Sequence, residues 1–172
     1  MKKTLIGMIC LITVCIILQG FAMAGMLGGR SKGAETIGIP TGASLFEQLK
    51  GMDYKHKFRI WPGKTSFSKG AESHGDFLTT YINIPAFMAV AGKKGIMPVG
   101  AMIVTESYTT DKKLVDIAVM FKVNGYNPDS GDWFWARYSP DGKVISEGKV
   151  DTCIKCHGTK KENDFILTGI LK

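Results

Sequence analysis

Cysteine is scarce in this chain, and half of it stands where it cannot serve a folded domain. Cys10 and Cys15 lie inside the apolar run Leu5–Leu18. That run follows Lys2 and Lys3 and precedes Ala22-Met23-Ala24, the small-residue pattern of a cleaved secretory leader. It is short for a membrane span of about 20 residues, so cleavage after Ala24 is expected in preference to retention as an anchor. Cys153 and Cys156 are then the only thiols left. Two cysteines exclude a disulfide framework and a four-cysteine zinc site. Long basic blocks are missing too. The lysines come singly or in pairs, as at Lys93-Lys94, Lys112-Lys113 and Lys160-Lys161, and no nucleic-acid partner is expected. The formal charge of +7 falls to +5 once Lys2 and Lys3 leave, a surplus that reads as solvated surface. There is no internal repeat and no low-complexity tract.

The remainder divides into a Gly-rich flexible arm, residues 25–42, and a single domain, residues 43–172, long enough to bury a core. Ala43–Lys50 carries Leu45, Phe46 and Leu49 at helical spacing, with Ser44 as a cap. Lys57–Trp61 alternates as a short strand before Pro62-Gly63. Strands are expected at Phe77–Ile84, Gly100–Thr109, Leu114–Val123, Asp132–Tyr138 and Lys143–Val150. A helical turn with Pro in its first position fills Pro85–Ala91. Hairpin connections fall at Thr109–Asp111 and Asn124–Gly131. The expected class is α+β, a predominantly antiparallel sheet with short flanking helices and a C-terminal segment that carries the chemistry.

That segment reads Cys153-Ile154-Lys155-Cys156-His157. In a CxxCH each sulfur can add to one vinyl group of a porphyrin, and the adjacent imidazole then reaches the iron. The spacing also serves a zinc site completed by His56 or His74, or a dithiol–disulfide couple. Export favours haem, because covalent haem is attached outside the bacterial inner membrane, and the periplasm is the expected location. For a second axial ligand the exported chain offers His56, His74, Met26, Met52, Met88, Met97, Met102 and Met120. The methionines mostly sit in apolar segments and read as core. Both histidines sit in polar stretches and read as surface. Trp133-Phe134-Trp135 reads as core that could also stack on a haem. Glu106 and Asp116 lie in strands, facing water or moving protons at an open haem face.

With TTYINIPAF (Thr79–Phe87), GAMIVTESY (Gly100–Tyr108), NPDSGDWFWARY (Asn127–Tyr138) and CIKCHG (Cys153–Gly158), the chain resembles the cytochrome P-460 and cytochrome c′-β family of periplasmic monohaem proteins. The resemblance implies an antiparallel sheet fold, often dimeric. It implies one haem c per chain held by Cys153 and Cys156, with His157 as proximal ligand to five-coordinate iron. It also implies a redox partner protein. Members of the P-460 kind oxidise hydroxylamine and link a Lys to the porphyrin. The matching stretch here is Ile103-Val104-Thr105-Glu106, which puts Thr105 where that Lys would stand. The c′-β kind lacks the link and binds small gases such as nitric oxide. The resemblance therefore points to nitrogen-oxide binding, with Thr105 in the distal pocket. A hydroxylamine-oxidising enzyme and a six-coordinate electron carrier are the alternatives.

Overall fold

The computed structural model describes residues 38–70 and 74–172. The expected leader and most of the expected arm lie outside the described residues. The chain enters on helix α1 (Gly42–Gly51), capped by Thr41, whose hydroxyl accepts from the Ser44 amide while Ser44 reaches back to the Thr41 amide. Ser44, expected to be the cap, is thus its reciprocal partner three residues on. A further helical turn, α2 (Tyr54–Lys57), ends on the first residue of the expected strand Lys57–Trp61, of which only Arg59–Ile60 (β1) is extended. Ser68–Lys69 (β2) is a second two-residue strand.

The remaining strands match the expected ones to within a few residues. They are β3 (Phe77–Ile82), β4 (Met102–Tyr108), β5 (Leu114–Lys122), β6 (Trp133–Tyr138) and β7 (Val144–Gly148). All pairings are antiparallel in the order β1-β3-β4-β5-β6-β7, with β2 also on β3. From β2 onward, neighbours in sequence are neighbours in the sheet, as short connections favour. Between β3 and β4 the chain makes α3 (Ile84–Ala91), started by Asn83, whose side chain accepts from the amides of Ala86 and Met102 and donates to the Gly100 carbonyl. After β7 comes α4 (Asp151–His157), which carries both cysteines, and then a 3-10 segment, Gly158–Asn163.

Side chains alternate across the sheet, and each face has its own core. The back face puts Met102, Val104, Ile117, Val119, Phe121, Phe134, Ala136 and Tyr138 against Leu45 and Leu49 of α1 and Tyr54. On the front face Ile82, Ile103, Met120, Trp133 and Trp135 pack against Ala86 and Ala89 of α3 and against Phe165, Ile166 and Leu171, with Cys153 and Ile154 of α4 at the margin. The class is thus α+β with an antiparallel sheet, and the cysteine-bearing helix lies at the front.

Candidate haem site

The strand register orders the front face into rows. Ile82, Ile103, Met120 and Trp135 stand opposite one another on β3, β4, β5 and β6. The next row reads Thr80, Thr105, Ala118, Arg137, and beyond it Leu78, Ser107 and Asp116. Polarity therefore rises along the strands, from an apolar floor through a row that is small on β3, β4 and β5 to a charged end. The small row leaves room. A cavity of about 290 Å³ opens over it, lined by these strands, by Lys64 and Lys69 at the β2 side, by His74, and by Cys153, Cys156 and His157. That volume is near the lower end for cofactor-sized clefts.

On α4, Cys153 and His157 are four residues apart and share a face. His157 lies against Trp135, ring centres 4.7 Å apart. Its Nδ1 is 2.8 Å from the Phe165 carbonyl oxygen. A carbonyl only accepts, so Nδ1 carries the proton and Nε2 keeps a free lone pair. Burial lowers the pKa of His157, the Phe165 carbonyl partly restores it, and nearby His74 lowers it again. The ring is therefore neutral at pH 7, the form a metal binds. Burial pushes the Cys153 thiol up. Both cysteines are free.

The Phe165 carbonyl is itself held by a buried knot. Asp164 and Phe165 both adopt left-handed backbone, φ 55° and 65°. Lys122 Nζ stands 2.6 Å from Asp164 Oδ1 with both side chains almost fully buried. The Met97 amide donates to Asp164 Oδ2 at 2.7 Å, and Trp133 Nε1 donates to the Asp164 carbonyl at 2.9 Å. The Lys122 ammonium also lies 4.7 Å from the centre of the Trp133 ring.

Four buried side-chain atoms lack a hydrogen-bond partner among the described residues, and three of them belong to residues lining this cavity: His74 Nδ1, Trp135 Nε1 and Arg137 Nε. Buried polar atoms without partners are rare and costly. Their concentration at one cavity fits a group with polar atoms of its own. Apolar walls from Ile103, Met120 and Trp135 suit a porphyrin face. Arg137, Lys64 and Lys69 supply the positive charge that haem propionates need, and two free thiols beside a neutral imidazole are the donor set for covalent haem. A haem fits these residues. The zinc alternative finds no ligand set, since no group of three or more His, Cys, Asp or Glu side chains that could hold a metal is present among the described residues.

Several sequence expectations change here. His56 is on the surface, paired to Asp53, as expected. His74 is not. It lines the cavity with its Nδ1 buried, and its ring centre is 6.3 Å from that of His157. Glu106 neither faces water nor approaches the cavity. It points to the back face, fully buried, accepting from Tyr54 Oη at 2.7 Å, from Tyr108 Oη, and from Lys55 Nζ at 2.7 Å. Burial alone would raise its pKa, but the bonds from Lys55, Tyr108 and Tyr54 outweigh that and hold it below the usual value. Burial and the nearby carboxylate push the Tyr81 phenol up to about 12. Asp116 is also buried, bound by Ser107 Oγ at 2.8 Å and by the Arg137 guanidinium. Met97, Met102 and Met120 are core, as expected, while Met88 is exposed. Trp133 and Trp135 are core residues of the front face, as expected, and Trp135 also lines the cavity. Thr105 is half-buried in the cavity wall, its Oγ1 3.4 Å from that of Thr80.

An antiparallel meander with a CxxCH helix across one face, and a cavity between them, defines a β-rich haem protein. The chain belongs to the cytochrome P460 family, whose model matches residues 53–168. That span takes in α2, the whole sheet and α4. No curated protein matches the chain. Membership implies a haem cofactor.

Proposed function

We propose that this chain is a periplasmic c-type monohaem cytochrome that binds small nitrogen oxides, nitric oxide foremost, and does not oxidise hydroxylamine. Cys153 and Cys156 would carry the haem as thioethers and His157 Nε2 would be the proximal ligand. The single CxxCH sets one haem per chain. The observation that carries the reading is Thr105. It stands in the cavity wall between Thr80 and Ala118, at the position where the resemblance puts the cross-linking Lys of the oxidising members. The lysines that do line the cavity, Lys64 and Lys69, precede β3 and do not lie on β4.

Held by Cys153, Cys156 and His157, a haem would supply an iron able to bind a nitrogen oxide. The chain's own residues do the rest. The Phe165 carbonyl holds the proton on His157 Nδ1 and fixes the ring. Ile103, Met120 and Trp135 exclude water. The Thr80 and Thr105 hydroxyls offer the donors that a polar ligand atom needs. A redox protein would set the iron's oxidation state, and a homodimer is the proposed assembly.

The test is an absorption titration of the periplasmically matured protein, oxidised and reduced, with nitric oxide. The expected result is an ordinary c-haem spectrum that shifts on nitric oxide binding. A ferrous band far to the red of a normal c-haem would mean a modified porphyrin, and the hydroxylamine-oxidising reading would replace this one.

A further inference from the structure

His74 is the residue whose position in the fold departs most from its sequence context. Its neighbours Glu72, Ser73 and Asp76 are polar, yet it lies in the cavity facing His157. The backbone around it is tied down on both sides. The Gly70 amide donates to the Asp76 carbonyl at 2.7 Å, the Asp76 amide donates to the Tyr108 carbonyl at 3.0 Å, and the Thr110 hydroxyl binds the Asp76 carboxylate at 2.8 Å. Gly70 comes so close to Gly75 that a Cβ on it would sit 1.9 Å from the Gly75 carbonyl oxygen. Gly75 has φ 97°, a conformation that side chains resist. Gly70 and Gly75 thus approach closely, with His74 beside them at the cavity.

The spacing of the two imidazoles is that of a shared metal. A metal-bound imidazole nitrogen lies about 2 Å from the ion, and the ring centre is about 1 Å further out. Two rings on opposite sides of one ion therefore have centres roughly 6 Å apart by the same bond length. The observed separation is 6.3 Å, with the ring planes crossed at 85°, and coordination leaves that angle free. Two side chains are enough for an iron whose other ligands come from the porphyrin. The His74 Nδ1 is buried without a partner. Burial also lowers the His74 pKa, with Asp116 opposing and Arg137 adding to the effect.

We propose that His74 is the distal axial ligand, closing the resting iron opposite His157 and leaving when a nitrogen oxide binds. This rests on the reading of His157 as proximal ligand. The iron is then six-coordinate at rest and open on demand, in place of the permanently five-coordinate iron that the family resemblance implies. The groups facing His74 across the cavity are Arg137, His157, Lys64 and Lys69, together with the Met120 thioether. Of these, Met120 and the two lysines are the competing ligands that the experiment must separate.

The experiment compares wild type with His74→Ala by resonance Raman and absorption of the ferric and ferrous holoproteins. Nitric oxide is added to both, and imidazole to the variant. Wild type is expected to be low-spin and six-coordinate, the variant high-spin, and imidazole should restore the low-spin form. A ligand that closes the iron about 99 % of the time lowers the apparent affinity for nitric oxide roughly 100-fold, so the variant should gain that factor. High-spin wild-type protein overturns the proposal, as does a variant that stays low-spin because Met120 or a lysine holds the position. The spin change without nitric oxide binding in either protein would uphold His74 as ligand and remove the nitrogen-oxide reading. Should His74→Ala not mature, His74→Met serves instead. A thioether in place of imidazole raises the potential of a c-haem, and an unchanged potential overturns the proposal.

Discussion

Replacing Asp164 with Asn probes the knot behind His157. The change keeps the shape and leaves an amide oxygen for the Met97 amide, but it removes the one carboxylate paired with Lys122 among the described residues, and the Lys122 side chain is 6 % exposed. Breaking a buried ion pair from one side costs about 3–5 kcal/mol, because the surviving charge has no solvent. The nearby Trp133 ring softens this somewhat, since a desolvated cation over an aromatic face recovers up to about 2 kcal/mol. At a urea slope of about 2 kcal/mol per M, the unfolding midpoint should fall by roughly 1.5–2.5 M if the ring contributes little. Lys122→Met should cost a similar amount, and the double variant should fall short of the sum of the singles by about 2 kcal/mol, the coupling of a true pair. A second readout follows from geometry. Left-handed backbone at a residue other than glycine costs on the order of 1–3 kcal/mol, so Asp164 and Phe165 keep that shape only while the knot holds. Once it loosens, the Phe165 carbonyl should lose its grip on His157 Nδ1, the ring should become a weaker donor to iron, and the reduction potential should rise. A variant within about 1 kcal/mol of wild type, with an unchanged potential, would refute the reasoning.

Two further perturbations separate the faces of the sheet. Glu106 has a folded pKa held below its ordinary 4.5, so its contribution is complete above that value and is lost as pH falls through the folded pKa. Glu106→Gln should cost about 1.5–3 kcal/mol at neutral pH, and the difference from wild type should narrow in denaturation curves below pH 4.5. A gap that widens on acidification would contradict this. Thr105→Val keeps the shape and removes a hydroxyl whose protein contact is long. It should change stability by less than about 0.5 kcal/mol, while nitric oxide dissociation, followed by stopped-flow, should speed up by as much as about tenfold. An unchanged rate would remove Thr105 from the distal pocket.

The sheet was legible because its strands carry their own pattern. The runs that became β3 through β7 are β-branched and aromatic and are bounded by turn residues, and their pairing follows chain order. The helix with Pro near its start and the CxxCH helix were equally local. What escaped was decided by contacts distant in sequence. Lys57–Trp61 alternates like a strand, but the helical turn Tyr54–Lys57, which follows left-handed Asp53, runs into its first residue, and only Arg59–Ile60 pairs, with β3. Glu106 looked like a surface or proton-handling residue because nothing nearby in the sequence announces Tyr54, 52 positions away, as its partner. The Lys122–Asp164 pair spans 42 positions. His74 reads as surface from its polar neighbours, yet it lies at the cavity beside the close approach of Gly70 to Gly75. The glycines flanking that polar stretch were the one local signal, and glycine alone does not say which way a loop folds.

The proposed function requires one haem bound covalently through Cys153 and Cys156. The most direct test is the intact mass of the periplasmically matured protein after denaturation and acid-acetone extraction, for wild type and for the variant with both cysteines changed to Ala. Wild type is expected to retain the mass of one haem with an ordinary c-type pyridine haemochrome, and the variant to lose its haem to the acetone. A wild-type chain that releases its haem, or that carries only a Cys153–Cys156 disulfide, would contradict it.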